Sequence, residues 1–268
     1  MTVSMDALAD DLHAESADLR AVLASLAEDD WRRATPAAGW TIIDQITHLA
    51  YFDDVAVESA AQPELFRARL QRVAAEGGVD PDRIAADYRH LTGADVIGWF
   101  DESRARLIAV FRDLDPGVRV PWFGPAMSAA SLLTARIMET WAHGQDVCDT
   151  IAVRRVPTGR LRHVAHLGVL ARPYSFAVRG RQAPLAPIRV ELAAPDGTAW
   201  TWGPADAADR VCGPAQDFCL AVTQRRHRDD TALQITGPAA EEWMAIAQAF
   251  AGPAGAGRAP GRFAAETG

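Results

Sequence analysis

Between Ser4 and Leu26 the apolar positions Leu8, Leu12, Leu19, Val22, Leu23 and Leu26 fall at helical intervals, with Asp and Glu gathered toward the start. This pattern predicts a first long helix. A loop through Thr35, Pro36 and Gly39 follows, and Thr41 can cap a second helix that carries His48. Shorter helical stretches are predicted at 63–75 and 81–91. Asp95 to Leu114 reads as a third long helix, with Val96, Ile97, Phe100, Leu107, Val110 and Phe111 on its inner face. Ser128 caps a fourth that runs to about Thr150. Four long helices joined by loops predict a bundle, and bundle interiors are where such folds build metal sites.

The periodicity changes after Pro184. Ile188 to Leu192 alternates, Pro195-Asp196-Gly197 is a turn signal, and Thr198 to Trp202 alternates again, which predicts a hairpin. Ala215 to Thr223 reads as helix, Leu233 to Gly237 as a short strand, and Ala239 to Phe250 as a closing helix. The fold class expected is therefore α+β: a helical bundle over residues 1–155, a connecting helix and linker over 156–183, a small α+β domain over 184–251, and a disordered tail rich in Gly, Ala, Pro and Arg over 252–268.

Composition narrows the function. The formal net charge of -8 and pI near 5.4 argue against a nucleic-acid partner, because phosphate binding needs a basic stripe. All 27 basic residues are Arg, which removes Schiff-base chemistry, pyridoxal phosphate attachment and the P-loop lysine together. Arg in place of Lys, with abundant Ala, Asp and Gly, is the signature of a GC-rich coding sequence and suggests an actinobacterial source. The three cysteines, Cys148, Cys212 and Cys219, form no CxxC pair and predict neither a disulfide framework nor a thiolate zinc cluster. No apolar run approaches the ~18 residues of a membrane span, and the acidic start is unlike a signal peptide, so a cytoplasmic protein is expected, with a small-molecule substrate and no membrane partner.

The candidate chemistry lies on two of the predicted helices. Glu139, His143 and Asp146 follow one another at spacings of four and three, which stacks them on one helical face. His48 offers an imidazole from the second helix. Two imidazoles and a carboxylate leave coordination positions open, as in catalytic zinc and non-haem iron sites, whereas structural zinc sites take four protein ligands. The plainer alternative is a solvated Glu–His pair, or a buried His with one hydrogen-bond partner. Against it, Ile137, Met138, Trp141, Ala142, Val147 and Cys148 make this helix otherwise apolar, and buried charges need partners or a metal. Asp44 and Asp146 each stand one turn from a candidate His and could orient it, with helix capping or a solvated position as the equal alternative for Asp44. His163 and His166 are a rival pair. Trp40, Trp122, Phe123 and Trp141 are candidates to line a pocket. No GxSxG elbow, HExxH or EF-hand loop occurs, and the Gly-rich run near Gly255 lacks the flanking strand and helix of a dinucleotide site.

Three segments carry a resemblance: AspGlnIleThrHisLeuAla around His48, TrpPheGlyProAlaMetSerAla from Trp122, and ThrAlaArgIleMetGluThrTrpAlaHisGlyGlnAspVal from Thr134 to Val147. The N-terminal part resembles the DinB-like metal-binding four-helix bundle. The whole chain resembles the mycothiol-dependent maleylpyruvate isomerase family, which joins that bundle to a small sterol-carrier-protein-like α+β domain, and in particular an actinobacterial branch of it. The resemblance implies a divalent metal, usually zinc, held by His48, Glu139 and His143, the residues that spacing also selects. It further implies a catalytic Arg from the second domain, which falls on Arg225; ThrGln before it and ArgHisArg after it depart from the family pattern, leaving Arg226 as a rival.

The implied chemistry is thiol activation, with mycothiol as cosubstrate and transfer to, or isomerisation of, a small electrophile as the outcome. A metal-activated water would instead make a hydrolase, a lyase or a cyclase of secondary metabolism. A different class is a non-catalytic metal protein whose second domain carries a small ligand. An iron oxygenase uses the same donor set.

Overall fold

The computed structural model describes residues 4–263, which divide into two compact units with the boundary between Arg155 and Val156. The first unit is helical. Its elements are α1 (Met5–Leu23), α2 (Ile42–Ala61), α3 (Pro63–Ala75), α4 (Pro81–Asp87), α5 (Gly93–Arg112), a two-residue ladder of β1 (Arg119–Val120) with β2 (Met127–Ser128), and α6 (Ala129–Ile151). Each long helix starts where its cap residue dictates. Ser4 Oγ accepts from Ala7 N, Thr41 and Asp44 form a capping box, Thr92 and Asp95 form another, and Ser128 Oγ accepts from Ser131 N.

The four long helices, α1, α2, α5 and α6, pack on one another in two apolar clusters. One gathers Leu8, Leu12, Leu107, Phe111, Leu133 and Ile137; the other gathers Leu19, Leu23, Ile43, Ile46, Phe100 and Val147. All four helices change clusters at a shared polar level. Ser16 of α1, Asp53 of α2, Arg104 of α5, and Arg136 and Thr140 of α6 are all buried there. Asp53 accepts from Arg104 Nε at 2.7 Å and from Arg136 Nε at 2.8 Å, while Arg136 Nη2 donates to Leu49 O at 3.0 Å. Arg104 also donates to Ser16 Oγ and to Thr140 Oγ1. Because breaking a buried ion pair costs several kcal/mol, this layer fixes α6 against α2 at one height. The candidate donors lie next to that height.

The second unit comprises α7 (Leu161–Leu170), α8 (Arg172–Ala177), β3 (Ile188–Ala193), β4 (Ala199–Trp202), β5 (Asp209–Pro214), α9 (Ala215–Val222), β6 (Gln234–Thr236) and α10 (Pro238–Met244). The expected hairpin is present: β3 and β4 pair antiparallel, Ala193 opposite Ala199, with Gly197 at φ +81° in the turn. One strand escaped the sequence reading. β5 runs parallel to β3, giving the order β4-β3-β5-β6, and its terminal Gly213 and Pro214 hide it from an alternation count. The chain is thus α+β, a helical domain followed by a small mixed-sheet domain.

Three expectations in this region need correction. The stretch expected as a connecting helix and linker is helical as expected, but its two helices, α7 and α8, belong to the second unit; α7 lies on α9 where Gly168 meets Val222 and Phe218. The closing helix stops at Met244, because Gln248 N then donates to Ser175 Oγ and Ala249 N to Val222 O. The tail is tied down over 252–261. Gln248, 1% exposed, holds Pro253 O and Gly255 N with the two ends of its amide, Arg179 donates to Gly255 O, and Gly261 N donates to Asp230. Residues 264–268 of that expectation lie outside the described residues. No helix among the described residues is long and apolar enough to cross a membrane.

Candidate metal centre

Every residue of α6 from Thr140 to Cys148 is buried, so the polar side chains on its inner face must find partners inside the fold. Glu139 and His143 lie one turn apart on that face, and α2 brings His48 to them. His143 Nε2 is 3.1 Å and His48 Nε2 3.6 Å from the same oxygen, Glu139 Oε2, and the two imidazole centroids are 4.4 Å apart. One donor atom from each of the three lies within 4.8 Å of the others, and among the described residues this is the cluster that could hold a metal ion. His163 and His166 make no such group; His166 Nδ1 accepts from Trp202 Nε1 at 3.2 Å in the second unit.

A hydrogen-bond relay fixes which nitrogen of His143 carries its proton. Thr35 Oγ1 donates to Trp40 O at 2.9 Å and therefore accepts from Gln45 Nε2, also at 2.9 Å. That orients the Gln45 amide with Oε1 toward His143 Nδ1, which must donate. In the neutral ring Nε2 then holds a bare lone pair, and it faces a carboxylate oxygen. Two acceptors at 3.1 Å repel unless a proton or a cation lies between them, so the donor set fits a divalent ion held by two imidazole nitrogens and one carboxylate.

The electrostatics point the same way. Burial, followed by the neighbouring His143, lowers His48 from 6.5 to about 4 despite the opposing pull of Glu139, so His48 is neutral at pH 7 and its nitrogen is free to ligate. Burial works against ionisation of Glu139, yet the two imidazoles, whenever a proton lies between them and the carboxylate, hydrogen-bond to it and hold the carboxyl well below the usual carboxylate range, and a cation in the same place would act in the same sense. His48 Nδ1 is buried with no hydrogen-bond partner among the described residues.

Asp44 takes the alternative role, helix capping, and neither aspartate is the hydrogen-bond partner of His143 Nδ1. Asp44 spends its carboxylate on the start of α2, accepting from Thr41 N and Oγ1 at 2.8 Å, and on Arg89, whose Nε lies 2.9 Å away. Its place in the capping box turns it back toward the helix end, away from His48. Asp146 is buried, but the partner of His143 Nδ1 is Gln45. Gln45 and Thr35 escaped the sequence reading because a buried amide 98 positions from its partner carries no motif. The one signal was Gln45 one turn before His48 on the same helix.

Aromatic rings surround the imidazoles. Trp40 stacks on His143 at 5.8 Å and lies 5.3 Å from His48, its Nε1 tied to Asp82 of α4 at 2.6 Å. Phe52 lies 4.6 Å from His48 and meets Trp122 and Phe123 at 6.4 and 6.1 Å. Trp141 has a different task, with the Arg155 guanidinium 5.6 Å over its ring. Arg225 belongs to the second unit. It follows Gln224, which adopts φ +60° at the end of α9, and its Nη1 donates to Thr223 O at 2.8 Å. Its rival Arg226 lies 3.9 Å over the Phe263 ring.

Comparison with known proteins adds to this picture. A family model described as the mycothiol maleylpyruvate isomerase N-terminal domain matches residues 12–148, the stretch that contains all three candidate donors. A second model, described as wyosine base formation, matches residues 184–234. Two uncharacterized proteins from two strains of Mycobacterium tuberculosis are each 46% identical over 248 residues, covering 92% of this chain and 96% of theirs. Among solved structures, mycothiol-dependent maleylpyruvate isomerase aligns with a TM-score of 0.58 at 17% identity, covering 88% of this chain and 96% of that one. A histidine-to-alanine mutant of that enzyme aligns with the same TM-score at 16% identity. At such identities the likeness speaks for the fold.

Proposed function

The chain belongs to the mycothiol maleylpyruvate isomerase N-terminal domain family, and on that premise we propose that it is a metal-dependent enzyme that activates a low-molecular-weight thiol, mycothiol, for attack on a small electrophile. The observation that supports this reading is the meeting of His143 Nε2 and the Glu139 carboxylate, a pair that needs a proton or a cation between them, with His48 beside it as a third donor. A divalent ion, zinc in the first instance, held by His48, Glu139 and His143 supplies one thing when bound: a thiol that joins it loses its proton at neutral pH, whereas a free thiol with a pKa of about 8.5 does not.

The remaining tasks fall to the protein. Three protein donors leave room for an incoming group where four would close the set. Gln45 keeps the His143 lone pair directed at the site. Trp40 and Phe52, packed on the imidazoles, keep water from surrounding the donors. Arg225 takes the role the family resemblance gives it, holding an anionic electrophile by its guanidinium. Addition of the sulfur, bond rotation and elimination return the thiol and give isomerisation; addition alone gives transfer.

The test joins metal analysis to the dependence of turnover on thiol. Wild-type protein purified without added metal carries about one divalent ion and converts a suitable electrophile only when mycothiol is present, consuming it in transfer and returning it in isomerisation, while Glu139→Ala and His143→Ala lose both metal and conversion. Arg225→Ala keeps the metal and loses turnover. Wild type that turns over a substrate equally fast with and without thiol overturns the thiol reading in favour of a metal-activated water.

A further inference from the structure

The aromatic cover of the metal centre is gripped from outside the four long helices. Trp40 stands in the loop before α2, just after Gly39 at φ +80°, and its indole packs on both imidazoles, stacked on His143 with an interplanar angle of 20°. The backbone there is pinned. Trp40 O accepts from Thr35 N at 2.8 Å and from Thr35 Oγ1 at 2.9 Å, Trp40 N donates to Ala37 O at 3.0 Å, and Arg89 Nη2 donates to Gly39 O at 2.8 Å. With its main chain held in this way, the indole leaves the imidazoles only by turning about its own side-chain bonds.

One hydrogen bond opposes that rotation. Trp40 Nε1 donates to Asp82 Oδ1 at 2.6 Å, and an N–H on a carboxylate binds about twice as strongly as one on a neutral oxygen. Asp82 lies in the first turn of α4, whose start is set by Pro81 and by Asp80, the cap that accepts from Asp82 N at 3.0 Å and from Arg83 N at 3.1 Å. α4 packs on α2. Two polar contacts run from this segment to the loop, one from Asp82 to the indole and one from Arg89 to Gly39 O, so the segment holds both the ring and the turn that presents it. Asp82 is itself exposed, which means that replacing it leaves the apolar core intact.

On the reading of His48, Glu139 and His143 as a divalent-metal centre, we propose that Asp82 is a positioning residue of that centre: it keeps the Trp40 indole over the two imidazoles and thereby sets how readily exogenous ligands reach the ion. Zinc-loaded full-length protein mixed with excess chelator gives the rate of metal loss, and nitrogen–proton spectra follow the Trp40 indole N–H, identified by its absence from Trp40→Phe. Asp82→Ala loses zinc about tenfold faster than wild type, the equivalent of one charge-assisted hydrogen bond. Its indole resonance moves upfield. Asp82→Asn, which keeps an acceptor oxygen, releases zinc at a rate close to wild type. Trp40→Phe releases it as fast as Asp82→Ala, and Asp82→Ala added to Trp40→Phe accelerates the loss no further, because both changes remove the same bond. Thermal melts establish that the variants fold. If wild type takes up zinc and folded Asp82→Ala releases it at the wild-type rate, if the indole resonance stays in place, or if Asp82→Ala has its full effect in the Trp40→Phe background, the proposal alone is overturned; wild type that takes up no zinc overturns the metal reading together with it.

Discussion

Replacing Gln45 by Leu keeps the bulk of the side chain and removes the acceptor that faces His143 Nδ1. Three costs follow. His143, with a side chain 10% exposed, is left with a buried N–H that water reaches poorly, a penalty of about 1–3 kcal/mol. The Nδ1–H tautomer loses its lock, so part of the population presents a proton where a lone pair is needed. Thr35 Oγ1 also loses its donor. At about 1.4 kcal/mol per tenfold, these terms predict a fall in metal affinity of about 10- to 100-fold, the range usual for groups that orient a ligating imidazole. Gln45→Glu keeps an acceptor at the same place and retains affinity close to wild type. Competition against a chelating dye measures the affinities, and long-range proton–nitrogen correlation spectra of the imidazoles read the tautomer. Gln45→Leu with wild-type affinity, or an Nε2–H tautomer at His143 in the metal-free protein, would refute the relay.

Three further outcomes follow from the same geometry. Asp53→Ala leaves Arg104 and Arg136 buried without their shared anion, so urea unfolding registers a loss of about 3–5 kcal/mol; a loss under about 1 kcal/mol contradicts the role given to the polar layer. In the metal-free protein His48 resists protonation down to about 4, while the unfolded chain takes up that proton near 6.5. The unfolded state binds more protons in this window, so stability falls as pH drops from 6.5 toward 4, by up to about 3 kcal/mol; His48→Gln flattens this dependence, and a variant curve that parallels wild type refutes the assignment. Gly168→Ala places a Cβ 2.7 Å from Val222 Cγ2, and the overpacking, about 1–3 kcal/mol, exceeds the helix-propensity gain of about 1 kcal/mol, so Tm drops; an unchanged or raised Tm shows that α7 and α9 can part at little cost.

What could be read from the chain divides along the range of the interactions. The start of α2 was legible because Thr41 and Asp44 are three residues apart, and the β3–β4 hairpin because alternation flanks an Asp-Gly turn. The three candidate donors were legible because Glu139 and His143 must share a face at a spacing of four. Roles that depend on where a side chain spends its hydrogen bonds were not. Asp44 stands one turn from His48 yet is consumed by its own helix cap and Arg89, and the orienting task passes to Gln45, held by Thr35 across a loop. β5 was missed because its reason for being a strand lies in Ile188 to Ala193, its parallel partner, rather than in its own composition. The tail was misjudged for a similar reason, since Gly, Ala and Pro give no local order and the Gln248 amide supplies it from outside.

The central claim is that α2 and α6 bring three protein atoms to one divalent ion and leave it accessible. Crystals of the protein purified without added metal, measured on both sides of the zinc absorption edge, address it directly. The account predicts one strong anomalous peak bounded by His48 Nε2, the Glu139 carboxylate and His143 Nε2, with at least one coordination position occupied by something other than protein. No peak there, or an ion closed by a fourth protein ligand, contradicts it.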